Sequence, residues 1–208
     1  MNDCNIVLAG VGGQGILLAA NILGSAAVKE GFNVRVSEIH GMAQRGGAVV
    51  CHVRIGEGVH APTAVEGKAD VIVGLEPVEA LRNIKFASSQ TWVLLNTEPI
   101  IPSIVSLGNT AYPSLQNIIE KIRLFAEKIV PIDAADLARK AGSVIAQNTV
   151  MLGALVATEK LPMRVETMKN IIRELVPLRY VKMNHEAFEL GYYALRNSYE
   201  KRRDELDT

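Results

Sequence analysis

An apolar run, Ile6-Val7-Leu8-Ala9, ends in Gly10-Val11-Gly12-Gly13-Gln14-Gly15 and passes at once into Ile16-Leu17-Leu18-Ala19-Ala20. That succession reads as a strand, a tight glycine turn and a helix. It is the geometry in which backbone N–H groups point at an anion. A strand that is apolar on both faces belongs inside a parallel sheet covered by helices on either side. The opening of the chain therefore commits it to an α/β architecture.

The first helix, from about Ile16 to Glu30, is apolar almost all round. Asn21, Ser25 and Lys29 recur at intervals of four and form one narrow polar stripe. Such a helix calls for cover from its own sheet and from another subunit. Gly31 ends it. Asn33 to Ser37 alternates as a second strand, closed by Glu38. A loop from His40 to Gly47 follows, and then Val49, Cys51, Val53 and Ile55 alternate as a third strand with no helix between. Further strands are predicted at 70–75, 91–95 and 128–132, the last on a sheet edge because of Pro131. Helices are predicted at 78–88, at 115–127 with Ser114 as cap, at 134–141 with Asp133 as cap, and at 148–159, 165–175 and 181–203. The expected fold is a three-layer α/β/α sandwich with a mostly parallel, partly mixed sheet and a helical C-terminal third. Residues 1–208 form one domain, with 160–208 as a helical extension.

Lys and Arg balance Asp and Glu, and aromatic residues are sparse, so bulk charge points to neither nucleic acid nor a membrane surface. No apolar stretch is long enough to span a bilayer, and nothing at the N-terminus resembles a signal peptide. With two cysteines, Cys4 and Cys51, a disulfide scaffold is not expected and a cytoplasmic setting is. Two cysteines also fall short of the usual four-cysteine iron–sulfur cluster. Cys51 reads as a small core hydrophobe. His52, His60 and His185 lack metal-site spacing and read as surface or hydrogen-bonded histidines.

Candidate binding residues fall in two groups. Gly12, Gly13, Gln14 and Gly15 form the turn. Glu38, His40, Gln44, Arg45, Gly46 and Gly47 form the loop, where glycines permit close approach and Arg45 offers a forked cation for phosphate or carboxylate. Glu38 also lies near where a dinucleotide fold keeps its ribose-binding acid, but the missing helix after it argues against a βαβαβ unit. Glu76, Asn96, Thr97 and Asp133 end other strands, and Glu76 and Asp133 equally suit helix caps. There is no P-loop Lys-Ser/Thr, no G-x-S-x-G and no H-E-x-x-H. The chain offers a binding rim without a convincing nucleophile or acid–base pair.

The glycine turn, the run Glu38-Ile39-His40-Gly41-Met42-Ala43-Gln44-Arg45-Gly46-Gly47, the run Gly74-Leu75-Glu76-Pro77-Val78-Glu79-Ala80-Leu81-Arg82, and the C-terminal Asn184-His185-Glu186-Ala187-Phe188-Glu189-Leu190-Gly191 resemble the gamma-subunit family of 2-oxoacid:ferredoxin oxidoreductases, most of all the beta subunits of the indolepyruvate-type enzymes. The resemblance spans nearly the whole chain, and His40 to Gly47 is its most specific part. It implies an accessory subunit, inactive alone, in a complex that oxidatively decarboxylates aryl 2-oxoacids to acyl-coenzyme A and CO2 and passes electrons to ferredoxin. It further implies a large alpha subunit carrying thiamine diphosphate, magnesium and iron–sulfur clusters. Coenzyme A is then the acyl acceptor, and this chain by itself holds no cofactor. A homodimer is one state open to the isolated chain. The alternatives are a gamma subunit for pyruvate, branched-chain or 2-oxoglutarate substrates, a free-standing nucleotide-binding module, and a scaffold whose glycine turn touches only protein.

Overall fold

The computed structural model describes residues 3–41, 46–102, 105 and 111–206, with side chains as far as residue 197. Six strands form one sheet: β1 (Cys4–Val11), β2 (Val34–His40), β3 (Ala48–Ile55), β4 (Val71–Gly74), β5 (Trp92–Asn96) and β6 (Lys128–Ile132). Their order across the sheet is β2-β3-β1-β4-β5-β6. β1, β4, β5 and β6 are parallel neighbours, whereas β3 runs antiparallel to both β1 and β2. The mixed α/β sandwich expected from the sequence is the fold observed. The absence of a helix between β2 and β3 has its explanation here, because the two strands form a hairpin. β3 then inserts beside β1, where a helical crossover would otherwise have placed β2.

Helix α1 (Ile16–Lys29) packs on one face of the sheet. Gly31, at φ 85°, closes it, and the Phe32 N–H reaches the Ala27 carbonyl at 3.0 Å. The opposite face carries α2 (Pro77–Arg82), a 3-10 turn (Ile84–Phe86) and α3 (Leu115–Arg123). Val7, Ile72, Val93, Leu95, Ile118 and Ile122 form the core there. The larger core lies on the α1 side, with α4 (Ala134–Lys140), α5 (Gln147–Ala157), α6 (Val165–Leu175) and α7 (Leu178–Leu206). Helix α5 is buried at every position from Asn148 to Ala157, since α1, α4, α7 and the sheet surround it. Met168, Ile172, Phe188 and Leu195 of α6 and α7 belong to the same core as β1 and α1.

Local chemistry sets the boundaries. Ser114, Asp133 and Glu76 each accept a backbone N–H in the first turn of the helix that follows. The helix read as 78–88 breaks at Asn83, whose side chain donates to the Glu79 carbonyl at 2.9 Å, and a 3-10 turn follows. The helix read as 115–127 stops at Arg123, because Glu127 N–H turns to the Thr91 carbonyl as the chain enters β6. Pro131 is exposed on the outer strand β6, where a missing N–H costs no ladder bond.

Candidate functional site

The two motifs meet at the carboxyl end of β1. The β1–β3 ladder runs out at Val11 opposite Ala48, and the Gly12 N–H extends it by donating to the Gly47 carbonyl at 2.9 Å. On the other side of the hairpin, the Gly41 N–H donates to the Ala48 carbonyl at 2.8 Å. The loop is thus closed at its base across the hairpin and tied on one side to the glycine turn itself. A crossover helix would have carried the chain to the far end of the sheet.

Gly13 (φ 101°) and Gly15 (φ 72°) lie in the left-handed region, which glycine enters at least cost. Gly15 is the N-cap of α1, and no side chain caps this helix. The first-turn amides therefore open into a cleft of about 820 Å³ lined by Gly12, Gly13, Gly15, Leu17, His40 and Gly41. Its character is that of an amide-edged apolar wall, with the positive end of the α1 dipole at one side. Leu17 is 42 % exposed at the rim.

Gln14 points the other way. It is buried, its Oε1 accepts the Val11 N–H at 2.9 Å, and its Nε2 donates to the Leu75 carbonyl at 2.8 Å. The Asn96 amide donates to the same carbonyl at 2.9 Å, while its Oδ1 accepts the Ala134 N–H at 3.2 Å. The gap between β1, β4 and β5, where an open α/β sheet would admit a ligand, is filled by these two amides. Glu38 lies inside β2, which runs on to include His40 rather than leaving it in the loop, and its carboxylate is 3.4 Å from His40 Nε2 on the same face of the strand. With β3 interposed, β2 lies roughly 10 Å from β1, two strand spacings away. An acid so placed does not occupy the dinucleotide position beside the glycine turn. Gln44 and Arg45 lie outside the described residues.

Gly46 and Gly47 also border a second cavity of about 450 Å³, shared with Glu76, Glu79, Arg82 and Tyr112. The buried Glu76 carboxylate both caps α2, accepting the Glu79 N–H at 2.9 Å, and accepts the Tyr112 hydroxyl. Burial first, and then this carboxylate, push the Tyr112 phenol well above its ordinary value. Burial raises Glu79, partly offset by Arg82, which donates to it at 2.6 Å. The sequence marked Glu76 as a strand-end acid or cap, but Tyr112 lies 36 residues away and carried no signal.

The pyruvate ferredoxin/flavodoxin oxidoreductase family model matches residues 5–194. The chain belongs to that family. Indolepyruvate oxidoreductase subunit IorB of Pyrococcus horikoshii is 48 % identical over 197 residues, covering 94 % of this chain and 98 % of that protein. Its counterpart from Archaeoglobus fulgidus is 46 % identical over 188 residues, 90 % and 93 % of the two chains. The crystal structure of pyruvate oxidoreductase subunit PORC from Thermotoga maritima is similar with a TM-score of 0.70 and 25 % identity, over 93 % and 97 % of the chains.

Family membership directs attention to redox groups, and this chain's donors do not fit a cluster. Cys4 and Cys51 are both buried, on different strands. Burial pushes their thiols up, Cys4 to about 12 and Cys51 to about 11, against the thiolate form that ligates iron. Among the described residues no three His, Cys, Asp or Glu side chains gather as a metal site. Nor does any helix there have the length and apolarity to cross a membrane. His52 departs from the expectation for histidines. It is fully buried, both ring nitrogens lack a hydrogen-bond partner, and its ring meets Phe86 edge-on at 4.9 Å. His185 does find one, the Lys169 carbonyl at 3.0 Å, and His60 is exposed.

Proposed function

We propose that this chain is the smaller subunit of a complex that oxidatively decarboxylates indolepyruvate and other aryl pyruvates. The observation that carries the reading is identity of 46–48 % to IorB proteins over nearly the full length of both chains. In the overall reaction the 2-oxoacid loses CO2, its acyl carbon forms a thioester with coenzyme A, and the released electrons pass singly to ferredoxin. Thiamine diphosphate with magnesium, and iron–sulfur clusters, supply the carbanion sink and the one-electron steps when bound to the large subunit. This chain supplies a shaped wall. The uncapped amides of α1 and the loop bearing Arg45 face the partner, and their complementarity is to an anionic group such as a coenzyme A phosphate. His40, Gln44, Gly46 and Gly47 shape the approach to that wall, and Glu38 orients His40. The complex works in the cytoplasm.

The test is co-expression with the large subunit, followed by an assay of coenzyme A-dependent ferredoxin reduction. Indolepyruvate should drive reduction well above pyruvate or 2-oxoglutarate, and the small chain alone should drive none. A pair with intact clusters and thiamine that ignores indolepyruvate overturns the reading, as does turnover by this chain unaided.

A further inference from the structure

The sequence singles out Asn184 to Gly191 without giving it a task, and the glycine turn accounts for none of it. The structure connects them through the core. Asn184 of α7, 6 % exposed, accepts the Thr149 hydroxyl at 2.7 Å through its Oδ1. Its own amide is held by the Tyr180 carbonyl at 2.9 Å. Thr149 of α5 is fully buried, and its N–H holds Asn148 Oδ1 at 2.9 Å. Asn148, 3 % exposed, donates from Nδ2 to the Gly15 carbonyl at 3.1 Å. A Cβ on Gly15 would lie 2.5 Å from that Nδ2, so the amide fills the space beside the turn.

We propose that Asn148, anchored by Thr149 and Asn184, is a positioning residue that fixes the Gly15 turn and thereby the aim of the α1 amides into the cleft. Gly15 is left-handed and has no capping side chain, so its own sequence does little to hold it. Its carbonyl, already the acceptor for the Ala19 N–H at 3.0 Å, gains a second donor from a helix that is itself immobilised on all sides. Each polar group in the series is buried and paired, and a buried group stripped of its partner keeps its full desolvation cost. The Thr149 hydroxyl, which donates to Asn184, also stands 3.4 Å from Asn148 Oδ1 as a second donor, so its loss loosens Asn148 and through it the turn.

The kinetic arm of the test rests on the proposed function, whereas the exchange arm does not. In the isolated chain, amide hydrogen exchange is measured for Asn148→Leu, Thr149→Val and Thr149→Ser. The first two should speed exchange at Ala19, whose N–H is bonded to the Gly15 carbonyl, and at Ala20 by about tenfold. Amides of β4 and β5 should hold their rates, and Thr149→Ser, which keeps the hydroxyl, should restore the wild-type pattern. In the reconstituted complex, the same two variants should raise KM for coenzyme A several-fold with kcat nearly kept. Exchange that rises equally everywhere, or stays unchanged at Ala19, overturns the inference. Local acceleration with unchanged kinetics upholds the positioning role and counts against the cleft as a binding wall.

Discussion

Gly153 of α5 and Gly191 of α7 face each other at a reciprocal crossing. A Cβ on Gly153 would lie 1.9 Å from the Phe188 carbonyl oxygen, and one on Gly191 would lie 1.9 Å from the Val150 carbonyl oxygen. Backbone meets backbone with no side chain between, which seats α7 directly on the buried helix α5. Neither obstacle is a flexible side chain, so alanine at either position must force the helices apart. Gly153→Ala and Gly191→Ala are each expected to destabilise the chain by about 3 kcal/mol, the upper part of the range for overpacked cores. The double variant should cost less than the sum, because one separation relieves both clashes. Urea unfolding of the three variants checks this.

Gln14 should matter to stability before it matters to binding. Gln14→Leu keeps the bulk but leaves the Val11 N–H without its acceptor and the Leu75 carbonyl with Asn96 alone. A loss of about 1–3 kcal/mol is expected, measured as a lowered urea midpoint at unchanged slope.

His52 makes the fold sensitive to mild acid. Burial, aided by Lys85 and Arg54, pushes its pKa below the ordinary 6.5. The folded ring stays neutral where the unfolded chain takes up a proton. The contribution is therefore full above pH 6.5 and is lost as pH falls from there toward the folded pKa. Stability curves between pH 7.5 and 5 should slope downward toward acid, and the slope should be shallower in His52→Leu.

Tyr112→Phe removes one of the two donors to the buried Glu76 carboxylate. A cost of about 1.5–3 kcal/mol is expected, as for a hydrogen bond to a charged group. In the wild-type chain the raised phenol pKa has the opposite pH sense from His52. Its contribution is present up to about pH 10 and falls away above it, as the unfolded phenol ionises first. Ultraviolet titration should show a late-ionising tyrosine in the wild type that is lost in Tyr112→Phe.

Arg45→Ala should lower kcat/KM of the assembled complex about tenfold or more, the worth of one charge-assisted contact. Steady-state ferredoxin reduction at varied coenzyme A reads it. Wild-type turnover at every concentration would remove Arg45 from the functional wall.

Much of this arrangement was legible from local chemistry. The strand–turn–helix at Gly10 to Gly15, the direct passage from second to third strand without a helix, the edge position of Pro131 and the caps at Ser114 and Asp133 depend on neighbours in sequence. The rest depends on groups brought together by folding. Gln14 reads as a ligand-facing amide because its partners Val11 and Leu75 are fixed only once β1 lies beside β4. His52 looks like a surface residue of an alternating strand, since nothing nearby announces that Phe86 will cover it. Asn148 and Asn184 are ordinary helix polars until α5 and α7 cross. Helix ends at Arg82 and Arg123 were overrun because the side-chain and sheet contacts that stop them lie beyond any periodicity.

The reversed direction of β3 separates a frame from its contents. With Gly12 bound to Gly47 and Gly41 to Ala48, the ends of the hairpin loop are fixed by main-chain atoms rather than by side chains. Side-chain changes along this rim, His40 among them, therefore alter the lining of the cleft without removing a bond that holds the hairpin.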